Sequence, residues 1–380
     1  MVRGVIAGAM LFGFGVYCAT HSVDFPVYHH AAAQIVRGDY EIYPPAVYAD
    51  GIVPSHGFRY APAIAFLFVP FGFLPLGAAA FLFFTLKVGA VVYVGSVVGR
   101  YVGYTTPIST LMLASLLLAA GYVVEEFRYG NFHFFCIALM VFAFDSGGSG
   151  RIVRPAVALG IAIATKVTPI LLLAYFAWRR RFGLCAATLG VLLSLAILPA
   201  FVVGYRMNNH LLEGFGKYAL QKIDEGDNYA LRGLLLSTGL SSEAVTWVWV
   251  LTVLVGTVVV VVALWPNPAA PATRFLELCV VLTAMLLASP HTQRRYFIAL
   301  LVPIAALLAL MRTHRNLPEA HLIRVTLAMI AAIGTVLPLL FAGRRFALVY
   351  QTYSPHFFGA AVMLAALVVV AVRMKSTEQD

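Results

Sequence analysis

Long apolar runs separated by short polar connections dominate the chain. The runs fall at about 4–20, 60–76, 78–98, 106–123, 131–145, 155–177, 182–204, 244–265, 274–290, 296–311, 322–341 and 354–372. A helix of roughly 20 apolar residues crosses the ~30 Å hydrocarbon layer of a bilayer. A transmembrane barrel would show short segments alternating apolar and polar residues instead. The pattern therefore predicts an all-α fold, a polytopic transmembrane helical bundle of about 12 spans. No stretch is left over for a soluble domain, so residues 1–380 read as a single membrane domain.

Two polar connections are much longer than a link between spans requires, 21–59 and 205–243. In the first, Asp24 stands where a helix cap belongs, before a helix predicted over Phe25 to Arg37 with Gly38 as its stop. Val27, Ala31 and Ile35 form an apolar stripe on it, which predicts a short helix lying on the bilayer surface. Pro44, Pro45 and Pro54 then force extended chain. In the second connection, Leu211, Leu212, Phe215, Tyr218 and Ala219 can share one face against lipid, while Asp224, Glu225 and Asp227 read as a solvated turn.

Composition agrees with the pattern. The chain is 61% hydrophobic and 11% charged, with a mean hydropathy of +0.89, far too little charge for a soluble surface. The net charge of +10 comes from arginines and lysines scattered at the ends of apolar runs. That distribution fits positive-inside loops and lipid headgroups and does not suggest nucleic acid. Val5 to Ala19 reads as a signal anchor. With the N-terminus inside, Arg179 to Arg181, the stretch at 311–315 and the tail from Arg373 to Lys375 all face the cytoplasm, and both long connections face outward. The loop at 147–154, with Arg151 and Arg154, breaks that rule. Cys18, Cys136, Cys185 and Cys279 lie in apolar runs at unrelated spacings, so neither a disulfide framework nor a metal site is expected.

The candidate chemistry sits at the outer loops and at charges inside the apolar runs. Asp24 is either a helix cap or a carboxylate that accepts a proton from a sugar hydroxyl. His29 and His30 point to different helix faces and do not make a metal pair. Lys166 lies near the middle of an apolar run, where an ammonium is costly unless it snorkels, pairs or meets an anion. Pro169 can break the helix beside it. SPHTQRRY at 289–296 gathers His291, Gln293, Arg294 and Arg295, suited either to a phosphodiester or to anchoring at headgroups. Arg232 and Lys87 carry the same two readings. Arg128 is expected to pair with Glu125 or Glu126. The sequence carries no dinucleotide fingerprint, phosphate-binding loop, hydrolase elbow, zinc or haem motif. A sugar transferase built this way must take its donor from the membrane.

The order DFPVYHHAA, FRYAP, GNFH, KVTP and SPHTQ resembles glycosyltransferase family 87, polyprenyl-phosphate-sugar-dependent enzymes of the membrane-embedded C superfamily that include mannosyl- and arabinofuranosyltransferases. The family's acid and aromatic helix start match Asp24 and Tyr28. Its tyrosine–proline–proline element matches Tyr60, Ala61 and Pro62, without the first proline. Its glycine–glutamine–x–asparagine element is similar to Gly130, Asn131, Phe132 and His133, with both amides altered. Lys166 with Pro169, and Ser289 to Gln293, are intact, whereas Arg295 and Tyr296 replace a tyrosine and an aspartate.

The resemblance implies inverting transfer of a sugar, mannose or arabinofuranose, from a polyprenyl-phosphate donor to a glycan or glycolipid acceptor at the outer face of the cell inner (plasma) membrane. Asp24 is the implied base. Lys166, His291, Arg294, Arg295 and Arg232 are the implied donor-phosphate ligands. Tyr28, His29, Tyr60, Asn131, His133 and Gln293 are the implied cavity residues. No metal or other cofactor is implied. The competing class is a lipid-linked sugar flippase or other secondary transporter, which would also use a broken helix bearing Lys166.

Overall fold

The computed structural model describes residues 2–43, 57–104, 108–148, 150–220, 228–265, 270–314, 317–340, 348, 350 and 352–379. The described residues are helical, without strands. Pro44, Pro45, Tyr48, Asp50, Pro54, His56, Lys222, Asp224, Glu225 and Asp227 lie outside them. Two compact units emerge, one of residues 1–90 and 126–222, the other of residues 91–125 and 223–380.

In chain order the helices are α1 (Val2–His21), α2 (Phe25–Val36), α3 (Pro62–Leu67), α4 (Val69–Gly72), α5 (Leu76–Val102), α6 (Ile108–Leu118), α7 (Ala120–Tyr129), α8 (His133–Gly147), α9 (Val153–Thr165) and α10 (Ile170–Trp178). They continue with α11 (Phe182–Ile197), α12 (Ala200–Val203), α13 (Tyr205–Leu220), α14 (Leu231–Leu236), α15 (Ser242–Ala263), α16 (Pro271–Ala288), α17 (Leu301–Thr313), α18 (Ala320–Ala331), α19 (Leu337–Leu340) and α20 (Pro355–Gln379). Among the described residues, seven helices are long and apolar enough to cross a membrane, or up to eight if a bent pair counts as one span.

The difference from twelve apolar segments has local causes. The run at 60–76 is split into α3 and α4. The run at 106–123 turns by 86° between Leu118 and Ala120. At that corner Gly121 N–H, which no carbonyl of its own helix can reach, donates to Thr335 Oγ1 at 3.1 Å. The run at 155–177 breaks at Lys166, whose backbone is extended (φ −142°, ψ 138°). Pro169 has no N–H, and its ring excludes a helical turn four residues back.

In the first unit the core is a cluster of rings and small residues. It holds Phe25, Tyr28, Tyr43, Phe58, Tyr60, Phe68 and Phe83, with Ala31, Ala32, Ala65, Ala79 and Ala80 between them. The α2 helix packs on α3 and α4. It closes with Gly38 N–H on the Ile35 carbonyl and Asp39 N–H on the Gln34 carbonyl, both at 3.0 Å. The lipid contact expected for the stripe on this helix is thus corrected. Ala31 and Ile35 meet protein and not lipid, because a run of alanines lets the backbones approach. Gly72 makes that approach possible, since a Cβ there would stand 2.8 Å from the Ala32 carbonyl carbon. In α13, likewise, Leu211 is buried in the core with Met207 and Phe215 packed against it, where contact with lipid was expected.

In the second unit α6 packs against α17 and α18, and α16 against α17 and α20. Lys375 Nζ pairs with Glu277 Oε1 at 2.7 Å and also donates to the Leu264 carbonyl. Both side chains are buried. Arg128 does not take the partner expected from its spacing. Glu126 receives Lys87, Glu125 receives Arg294, and Arg128 stacks over the Tyr129 ring.

Replacing Gly72 by alanine should lower stability by about 1–3 kcal/mol through overpacking. Thermal unfolding of the detergent-purified protein measures this, and an unchanged midpoint would contradict the close approach of α2 and α4.

Candidate functional site

In the first unit the motif residues are linked by short contacts. Asp24 occupies the cap position of α2, yet its backbone is helical (φ −86°, ψ −36°) and its side chain caps nothing. Its Oδ2 accepts a hydrogen bond from Asn131 Nδ2 at 2.6 Å. Asn131 Oδ1 in turn accepts from His133 N–H at 2.8 Å, at the start of α8. That second bond fixes which way the amide points: the oxygen serves the helix start, so the NH₂ faces the carboxylate.

The turn carrying Asn131 is also tied to Asp24 through the backbone. The Tyr129 carbonyl accepts N–H bonds from Val23 at 3.1 Å and Asp24 at 2.8 Å. Between them Gly130 adopts φ +66°, and a Cβ there would lie 2.8 Å from Phe25 Cβ and 3.1 Å from Ser22 Cβ. Only glycine meets both demands.

One turn beyond Asp24, Tyr28 places its hydroxyl 2.7 Å from that of Tyr60. The two side chains are 4% and 6% exposed and belong to the ring cluster. The Tyr60 carbonyl accepts from Tyr43 Oη at 2.6 Å. Next to it, Ala61 N–H donates to the Ala164 carbonyl at 3.2 Å. That carbonyl is orphaned because the helix stops before Thr168 could serve it, so the FRYAP segment closes the break that exposes Lys166. Lys166 is half-buried and His133 buried. His29 places Nε2 2.9 Å from the Leu74 carbonyl. Beside it lies a cleft of about 630 Å³ lined by His29, His30, Gln34, Arg37 and Glu41, among others.

The second unit holds the other predicted residues around one clamp. Asn228 Nδ2 donates to the Pro290 carbonyl at 3.0 Å, and Asn228 Oδ1 accepts from Ala230 N–H at 3.0 Å and Thr292 N–H at 3.1 Å. Tyr229 N–H donates to the Thr292 carbonyl at 2.7 Å. The segment from Ser289 to Thr292 is thereby held against the residues that lead into α14, where Arg232 is 6% exposed. Arg294 pairs through Nε with Glu125 at 3.2 Å and donates from Nη2 to the Gly334 carbonyl at 3.3 Å. Arg295 and Gln293 are half-buried, and Arg295 lies over the Tyr296 ring at 5.5 Å. Outside the membrane-spanning helices, burial raises the pKa of the Tyr350 phenol and the nearby Arg294 opposes that shift.

Asn131, a polar residue at a helix start, and the broken helix at Lys166 are features that sequence can suggest. The pairing of Lys87 with Glu126 and the clamp at Asn228 escaped it, because each joins residues far apart in the chain.

The family model for glycosyltransferase family 87 matches residues 58–290, more than half of the 380 residues. The chain belongs to glycosyltransferase family 87. It is a glycosyltransferase and a membrane protein. The matched stretch of this family 87 protein contains Tyr60, Asn131, His133, Lys166 and Arg232, while Asp24, His291, Gln293, Arg294 and Arg295 lie outside it. No curated protein matches the chain.

Asn228→Ala removes a partner from three backbone groups. Leaving such groups unpaired costs roughly 1–3 kcal/mol each at most, so the variant should unfold earlier and exchange amide hydrogens faster at 289–292. Unaltered exchange there would show that the clamp does not hold the segment.

Proposed function

We propose that this glycosyltransferase moves a sugar, mannose or arabinofuranose, from a polyprenyl phosphate to a glycan or glycolipid acceptor, with inversion. The observation that carries the reading is the Asp24 carboxylate, released from capping and aimed by Asn131 at 2.6 Å. The Asn131 amide fixes the direction of the carboxylate, which accepts through two oxygens with several lone-pair sites.

In the proposed reaction Asp24 accepts the proton of an acceptor hydroxyl. The hydroxyl oxygen forms a bond to the anomeric carbon from the face opposite the phosphate. The bond from that carbon to the phosphate oxygen breaks, and the polyprenyl phosphate leaves with the electron pair. Lys166, Arg232, His291, Arg294 and Arg295 are assigned to the phosphate, where fixed cations stabilise charge as it develops. Lys166 suits this role because the extended backbone at the helix break frees it from a helical lattice. His29, Gln293 and His133 are assigned to the substrates as hydrogen-bonding residues, with Tyr28 and Tyr60 as the floor beneath them. No metal or cofactor enters the proposed reaction. With the N-terminus inside and the span order expected from the apolar runs, the positive-inside rule puts Asp24 outside, in a cell inner (plasma) membrane.

The test incubates purified protein with polyprenyl-phosphate mannose or arabinose and candidate acceptors. Asp24→Asn should reduce transfer on the order of 10²–10⁴-fold, the range of a positioned base, with donor binding retained. Equal transfer by both forms would remove Asp24 as the base. Movement of intact donor across vesicles without bond cleavage would favour a transporter.

A further inference from the structure

We infer that the buried ion pair Lys87–Glu126 positions the Asp24 carboxylate by acting through Asn131. The inference rests on the reading of Asp24 as the base and assigns two residues to its support.

Lys87 lies within the apolar helix α5, and Glu126 lies in the last turn of α7. Their side chains are 1% and 0% exposed. Lys87 Nζ donates to Glu126 Oε1 at 3.3 Å and to the Glu126 carbonyl at 3.0 Å, with the Phe83 and Phe127 rings at 5.5 and 5.1 Å. The same Oε1 accepts from Phe134 N–H at 3.0 Å. Phe134 is in the first turn of α8, where a backbone N–H has no helical partner. Glu126 therefore bridges the end of one helix to the start of the next.

The contacts that join the turn at 129–131 to Asp24 lie inside that bridge. Between Glu126 and Phe134 come the Tyr129 carbonyl that receives the Asp24 N–H, Gly130 under Phe25, and the Asn131 amide. The chain bends at these residues with only a few bonds of its own. Tying its two ends to one carboxylate limits where the Asn131 NH₂ can point. A negative charge also suits the start of α8, where the helix dipole is positive.

An ion pair is a poor choice if the only task is holding α5 to α7. Two apolar side chains of similar volume commonly serve stability as well or better. Only a long side chain bearing an acceptor reaches the Phe134 N–H, and a buried carboxylate requires a cation such as Lys87.

The test uses the full chain in detergent micelles and three variants. Glu126→Asp keeps the charge for Lys87 but is too short to serve Phe134 as well. Hydrogen exchange should rise several-fold at 22–28 and 129–135 while the thermal midpoint moves little. Transfer from polyprenyl-phosphate mannose should lose at least tenfold in kcat with KM for donor and acceptor unchanged. The apolar double variant Lys87→Met with Glu126→Leu should keep the fold and show the same kcat loss. In an Asn131→Ala background that double change should cost less than twofold, because its route of action is already gone. Unchanged exchange in Glu126→Asp, wild-type kcat in either variant, or the same loss with and without Asn131 would overturn the positioning role. Undiminished transfer by Asp24→Asn would instead take down the base assignment, which keeps the two failures apart.

Discussion

A carboxylate beside a packed cluster of rings needs a donor that stays in place, and the bond from Asn131 to Asp24 meets that need. Its geometry depends on a second bond, because Asn131 spends its oxygen on the first turn of α8 and is left with one way to face. The Tyr129 carbonyl and the left-handed Gly130 then hold the start of α2 against the same turn. Were Asp24 simply capping its helix, its lone pairs would be directed at its own backbone. The arrangement turns the carboxylate away from its own helix and toward Asn131.

The same rule about unpaired polar groups organises the breaks in the apolar helices. Where α9 stops at Thr165, the Ala164 carbonyl would face an apolar surround with no partner, and Ala61 N–H fills the place. Where α6 turns into α7, Thr335 takes the freed N–H of Gly121. In a bilayer such breaks survive only where protein or a polar cavity supplies the missing bonds. The first of these breaks also carries a motif residue, because a broken helix can present a side chain such as Lys166 without a regular turn on either side.

Much of the fold was legible along the chain. The apolar runs announced a helical membrane protein, and Gly38 marked the end of α2 to within two residues. Pro169 announced the break after Thr165. Other features were misread for a common reason. The stripe of α2 looked lipid-facing because an apolar face is the same in sequence whether it meets acyl chains or alanines. Arg128 was paired with Glu125 or Glu126 as near neighbours, although Glu126 meets Lys87, which lies 39 positions away.

The sequence by itself determined the class of the protein, since hydropathy over twenty residues is a local sum and needs no knowledge of contacts. It also marked the end of α2 at Gly38 and the break before Pro169, because proline and glycine act through their own backbone. Only the tertiary structure decided which polar groups meet: Asn131 with Asp24, Lys87 with Glu126, Asn228 with the SPHTQ segment. Those pairings depend on the relative placement of helices, which side-chain volumes throughout the core set together. Neither the type nor the spacing of the two partners encodes it.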